Sequence, residues 1–309
     1  MTTREPLAAP LLPRKFRHIL SDGHALPILT ILVALFALWY LAAIWLNAPG
    51  AIDRYERADR AEWNISDLIA DTMSQERPVL PAPHQVLLEL DKTVLGVAPT
   101  SRRSLVYHGW VTLSSALLGF AFGTLLGIVL AIGIVHVPTL ERSLLPWLIA
   151  SQTIPILAIA PMIIVVLGSM GFIGTVPKAI ISAYLCFFPV AIGMVKGLTS
   201  PEPLHLDLVR TYSASTAQVF WKLRWPSATA FLFASLKIAV ALSIVGAIVG
   251  ELPTGAQAGL GARLLSGSYY GQTVQIWAAL IVSALVAALS VAAVSFAERV
   301  TVRRMGGRP

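Results

Sequence analysis

The 309-residue chain is 56% hydrophobic and 13% charged, with a mean hydropathy of +0.73, which excludes an ordinary soluble domain and reads as a polytopic membrane protein. Its net charge of +7 sits in short segments beside apolar runs, the pattern of topology determinants facing anionic lipid, and points to a bilayer rather than to nucleic acid. The lone cysteine, Cys186, excludes an intrachain disulfide and a cysteine metal cluster.

A bilayer core about 30 Å thick takes roughly 20 apolar residues per helix. Six runs satisfy this, at residues 26–46, 110–135, 144–167, 176–198, 228–250 and 274–297, so the expected fold is all-α with six transmembrane helices. An even number places both termini on one side. That side carries thirteen basic residues: Arg4, Arg14, Lys15 and Arg17 in the N-terminal tail, Arg142, then Lys196, Arg210, Lys222 and Arg224, then Arg299, Arg303, Arg304 and Arg308. The other side has Lys178 and Arg263 in short loops and a long loop with seven basic against nine acidic residues, so both termini are expected in the cytoplasm. The first run is longer than the apolar region of a signal peptide and is read as a retained helix, 26–47, after a cytoplasmic tail, 1–25.

The outer loop, 48–108, has two compositions. Residues 53–77 are dense in charge and read as solvated helix, and Leu80 to Pro83 is a proline break. Beyond it Val86, Leu87, Leu90 and Val94 recur at helical spacing, which predicts an amphipathic helix lying on the membrane surface or packed on the bundle.

Within the five-helix core, 109–298, Gly119, Gly123 and Gly127 clear one face of the second helix, a seam for close packing or for sliding. The third run contains Gln152, Thr153 and Pro155, then Pro161. Prolines inside a span free backbone carbonyls, which are tolerated where they line a cavity or are covered by protein, so Gln152, Thr153 and Pro155 are candidate pathway residues. Lys237 is the single basic residue inside an apolar run and is expected to face the bundle interior or a water-filled cavity, either attracting an anion or bonding a neighbour. Glu251 ends the same helix and is a further pathway candidate or a topological boundary. No phosphate-binding G-x-x-x-x-G-K-[ST], no H-E-x-x-H and no G-x-S-x-G occurs, so the expectation is a non-enzyme with no cofactor or metal.

The segment 207–226, DLVRTYSASTAQVFWKLRWP, resembles the cytoplasmic signature of permease subunits of binding-protein-dependent ABC importers. That signature runs E-A-A, glycine six residues after the Glu, and I-x-L-P ending nineteen after it; here Asp207, Leu208, Val209, Ser213, Leu223, Trp225 and Pro226 take those positions. Leu80-Pro81-Ala82-Pro83, QTIPILAIAP at 152–161, Arg210-Thr211, Lys237, Glu251 and GAQAGLGARL at 255–264 are similar to the nitrate/sulfonate/taurine branch.

The resemblance implies a type I importer permease, MetI-like in fold, in a bacterial inner membrane. Two such subunits, as a homodimer, would form the pathway, a cytoplasmic ATP-binding subunit would drive it, and a periplasmic binding protein would deliver a small solute, an anion such as nitrate or a sulfonate. It makes 199–227 the coupling segment, with Asp207, Arg210, Thr211, Ser213 and Pro226 as ATPase-coupling residues, and 299–309 a cytoplasmic tail. The rival reading, a stand-alone secondary transporter, finds Lys237 alone as coupling apparatus.

Overall fold

The computed structural model describes residues 25–59, 62–253 and 258–306, and among these every regular element is helical. The expected N-terminal tail, residues 255–257 of the glycine-rich stretch and Arg308 lie outside the described residues. Chain contacts divide the molecule into two units, Met1–Leu87 and Leu88–Pro309.

The first unit is built on α1, Ala25–Arg57. Its leading half is apolar all round and exposed, from Leu26 to Leu38, as suits lipid. The helix continues ten residues past the expected end of the span, so the start of the charged block is its extension. Asn47, 1% exposed, is the hub of what folds back on it. Its Oδ1 accepts from Val79 N at 2.7 Å and Leu80 N at 3.2 Å, its Nδ2 donates to Leu80 O at 2.8 Å, and its own carbonyl accepts from Gln75 Nε2 at 3.2 Å. One buried amide thus satisfies the backbone of a proline-broken loop that has no ladder of its own. The short α2, Ile65–Met73, is tied to α1 through Tyr55 and Asp71. Trp39 Nε1 donates to Pro81 O at 3.0 Å.

The chain leaves this unit along α3, Pro83–Leu90, which opens on proline and runs into a π-helical turn, Asp91–Leu95. Val86 is buried as its spacing predicts, whereas Leu87 is 63% exposed and stands off that stripe. Leu90 and Val94 line an apolar groove of about 620 Å³ against Leu105, Leu113 and Leu289.

The second unit packs around three long helices: α4, Leu105–His136; α7, Thr175–Leu198; and α9, Thr216–Glu251. Ser104 caps α4, its Oγ accepting from Val106 N at 3.2 Å. The glycine stripe sets the distance between α4 and α7. A Cβ on Gly119 would stand 2.5 Å from Ala179 O, one on Gly123 2.7 Å from Ala183 O, and one on Gly127 2.7 Å from Phe187 O. α9 closes on the other side of α7, with Gly246 against Ser182 and Gly197 against Ala228. The core between them holds Ala131, Cys186, Val190, Met194, Ala228 and Ala239. The last long helix, α11, Thr273–Arg304, is preceded by α10, Leu260–Tyr269.

Five of the expected runs appear as long apolar helices; the third does not cross straight. It is split into α5, Pro138–Ser151, and α6, Ile156–Ser169, bent by 99°. Pro155 takes the cap of α6 with extended backbone, φ −63° and ψ 121°, and so ends continuity there. Lys178, read from sequence as a loop residue, is in the first turn of α7 and buried.

Candidate functional site

Between α7 and α9 lies α8, Pro203–Thr211, joined to α9 as helix, turn, helix. The turn is a Schellman closure: Ser213 N donates to Arg210 O at 2.9 Å and Ala214 N to Val209 O at 3.3 Å, with Ser213 left-handed at φ 50°. This is the position where the importer signature has glycine, and here a serine bears the strain. Ser215 starts α9 with a capping box, its Oγ accepting from Gln218 N at 3.3 Å and Gln218 Oε1 accepting from Ser215 N at 2.8 Å. A π-helical turn follows at Phe220–Arg224. It precedes Pro226, which has no N–H to give the Lys222 carbonyl the donor an α-helix would supply.

On α8 the polar residues singled out by sequence engage one another. Arg210 Nη1 is 3.4 Å from Asp207 Oδ1, and Thr211 Oγ1 donates to Leu208 O at 2.6 Å. Beside this exposed pair α8 presents an apolar row: Leu204, Leu208 and, at its C-cap, Tyr212, at i, i+4 and i+8, are 74%, 54% and 80% exposed, and Trp221 follows at 62%. That stripe was legible from its spacing but not singled out.

At the elbow between α5 and α6, Gln152, Thr153 and Pro155 are exposed. The Tyr184 hydroxyl of α7 donates to Ser151 O, and Thr153 Oγ1 folds back to Ala150 O at 2.8 Å. Lys237 does not present a free charge: its Nζ is 2.6 Å from Glu298 Oε2 of α11, with side chains 34% and 26% exposed. Glu298 lies just past the last apolar run, so the charge of Lys237 is met by a neighbouring helix.

The opposite end of the second unit holds a buried polar cluster centred on Glu251, which is wholly buried, as is Thr112; Lys178 and His108 are nearly so. Three successive amides at the start of α10 enter it. Gly259 N donates to His108 Nδ1 at 2.9 Å, Leu260 N to Thr112 Oγ1 at 2.8 Å and Gly261 N to Glu251 Oε2 at 2.8 Å. First-turn amides have no partner within their own helix, and side chains of α4 and α9 supply it. The Thr112 hydroxyl is 3.0 Å from both Glu251 oxygens. Lys178 Nζ is 3.3 Å from Glu251 Oε1 and from Ala258 O. His108 Nε2 is 2.9 Å from Arg102 O, so the ring is neutral with its proton on Nε2.

Gly259 adopts φ 128°, and a Cβ there would fall on the Glu251 carboxylate, which accounts for glycine at that position. Glu251 is thus covered by the start of α10 on the isolated subunit. His108, Thr112 and Lys178 were not singled out by sequence; the glycines at 259 and 261 shortly after Glu251 were the available signal. Arg263 of α10 donates from Nη2 to Arg103 O at 3.1 Å; partial burial lowers its pKa and the Glu89 carboxylate opposes that.

The sequence pattern of the family described as binding-protein-dependent transport system inner membrane component matches residues 123–307. A probable ABC transporter permease protein of Haemophilus influenzae is 30% identical over 71% of this chain and 84% of its own length. A formylaminopyrimidine transport permease protein of Halalkalibacterium halodurans is 33% identical over 59% and 68%, and a taurine transport system permease protein of Escherichia coli is 28% identical over 68% and 74%. The match spans α9 with its capped turn, the 99° elbow and the glycine-led α10 in one stretch, and the chain belongs to this family of membrane-embedded ABC transporter permeases.

Proposed function

We propose that the chain is the permease subunit of an ATP-driven importer, and that two copies form the path of a small solute handed over by a periplasmic binding protein. On this reading α8 and both termini face the cytoplasm, and α8 seats in a groove of a separate ATP-binding subunit. The observation that carries it is the exposed row of Leu204, Leu208 and Tyr212 on a short helix joined by a rigid turn to α9. Such a row is what a helix laid in a groove presents, with anchors one turn apart. Asp207 and Arg210, paired with each other, flank it and orient it; Thr211 and Ser213 close the helix, and Pro226 ends the coupling segment.

The pathway is assigned to the elbow. A bend of 99° within an apolar run leaves backbone polar groups that lipid does not satisfy, and Gln152, Thr153 and Pro155 stand exposed there on the isolated subunit. A water-filled path at the junction of two copies would satisfy them. Lys237 is assigned to holding α9 against α11 rather than to attracting an anion, since Glu298 neutralises it. The relatives named for taurine and for a formylaminopyrimidine are of different charge types, and we place a small organic acid such as a sulfonate first among substrates to test.

The test is purification of the tagged chain in mild detergent with mass spectrometry and an ATPase assay of the eluate. Recovery of an ATP-binding subunit and nucleotide hydrolysis is the expected result. Recovery of the chain alone across several detergents, with uptake in vesicles lacking ATP, would overturn the reading.

A further inference from the structure

We propose that Glu251, with Lys178 as its counter-ion, is a positioning residue that makes α10 travel with the three-helix block instead of with α11. This rests on the importer reading, because it gives the block's motion a purpose.

The block has little freedom inside it. α4, α7 and α9 approach through glycines with backbone against backbone at several levels, and between those levels their side chains are closely packed, which restricts sliding. α9 is one helical element from Thr216, next to the α8 turn, to Glu251, α-helical throughout apart from the π turn at Phe220–Arg224 near its root. At 1.5 Å per residue it is a rod about 50 Å long, so displacement of α8 arrives at Glu251 largely undiminished.

α10 is placed to receive it. Its far half rests on α11, Gly267 packing against Ile276, and its ends carry glycines at positive φ, Gly259 and Gly271, which give it pivots. Among the described residues its first turn is bonded to side chains of α4 and α9, and Lys178 of α7 joins them through Glu251 and the Ala258 carbonyl just before it. His108 and Thr112 come from α4, Lys178 from α7 and Glu251 from α9. A carboxylate taken out of water is costly unless paired and hydrogen-bonded, and this one receives an ammonium, a hydroxyl and an amide. Apolar packing would glue α10 down equally well but would let it slip; directed bonds to three consecutive amides fix its register.

The experiment is hydrogen–deuterium exchange of the peptide spanning 258–264, on the purified permease and on its complex with the ATP-binding subunit, with and without a non-hydrolysable ATP analogue. Transported solute per ATP is measured on the same variants. Expected are protected amides at 259–261 in both nucleotide states, and exchange about tenfold or more faster in Glu251→Gln and in the near-isosteric Thr112→Val. Thr112→Val, which leaves the Lys178–Glu251 pair whole, is expected to keep the ATP-binding subunit and its hydrolysis rate while solute moved per ATP falls about tenfold, the same scale of loss, whereas Glu251→Gln strands Lys178 and is expected to lose folded yield as well. A merely structural role would lower assembly, hydrolysis and uptake together in Thr112→Val, and that outcome overturns the proposal. So does free exchange at 259–261 in the unaltered chain, or loss of protection on adding the nucleotide analogue. If no ATP-binding subunit is recovered, the importer reading falls and takes the transport role of Glu251 with it, while exchange on the permease alone still decides whether the cluster anchors α10.

Discussion

The two ends of α9 use charge in opposite ways. At the α8 end Asp207 and Arg210 form an ion pair in open solvent, and the surface proposed above for contact is the apolar stripe beside them. At the α10 end Lys178 and Glu251 are buried, and the charges themselves do the holding. A solvated pair costs little to break and specifies little, whereas a buried pair is demanding to form and punishing to halve. The first arrangement suits a surface that must release; the second suits one that must not.

The contrast can be broken most sharply at Lys178. Replacing it by Met strands the Glu251 carboxylate, and a loss on the order of 3–5 kcal/mol is expected as a fall in folded yield and thermal midpoint. The double variant Lys178→Met, Glu251→Leu should recover part of that loss, because no buried charge remains; equal loss in both would show that the pair is not the source. Next comes Leu208→Asp at the other end. It should cut recovery of the ATP-binding subunit about tenfold, the scale of one lost apolar anchor, without moving the thermal midpoint. The reversal Asp207→Arg with Arg210→Glu keeps the internal pair and should weaken association less than Leu208→Asp; the opposite ranking would make the charges the contact surface.

Lys237 tests a middle case, a half-exposed pair. Lys237→Ala and Glu298→Ala should each lower the thermal midpoint modestly, by on the order of 1 kcal/mol, and Lys237→Glu with Glu298→Lys should restore uptake. Uptake lost in the swapped variant while the protein stays folded would return Lys237 to the pathway. The smallest effect, and a gain, is expected from Ser213→Gly: relief of a left-handed serine should stabilise the α8 turn by about 1 kcal/mol, read by thermal melting of the complex.

The long helices were legible because a span needs only length and apolarity, and the elbow because a proline in mid-span removes a helical donor; yet of the two prolines in that run Pro155 breaks the helix while Pro161 is carried inside α6, a choice the residue type does not make. Ser213 was legible too, as a small residue where the signature has a glycine. The Glu251 cluster was not. Its members lie 139 and 73 residues from Glu251, at Thr112 and Lys178, and a side chain's partner across the fold leaves no periodic trace. Lys178 was read as a loop residue because a cation at the mouth of an apolar run ordinarily marks the water boundary, and only the carboxylate facing it makes burial tolerable. For Lys237 the partner was equally illegible: Glu298 lies 61 residues on, just past the last apolar run, while the fold brings the two within 2.6 Å.

The aromatic nest at the root of α9 has a consequence for the lipid. Phe220, Trp221 and Trp225 cluster around the π turn in edge-on and tilted contacts with ring centroids 5.0 to 5.8 Å apart, and His136 of α4 meets Phe220 edge-on at 5.6 Å. Indole rings prefer the headgroup level of a bilayer, so two of them in one turn act as a depth marker where α9 enters the membrane. With that depth fixed, a thicker or thinner bilayer is accommodated by tilting the helix about its root, not by lifting or sinking α8. The ATP-binding subunit would therefore meet its docking helix at the same height above the membrane whatever the lipid composition.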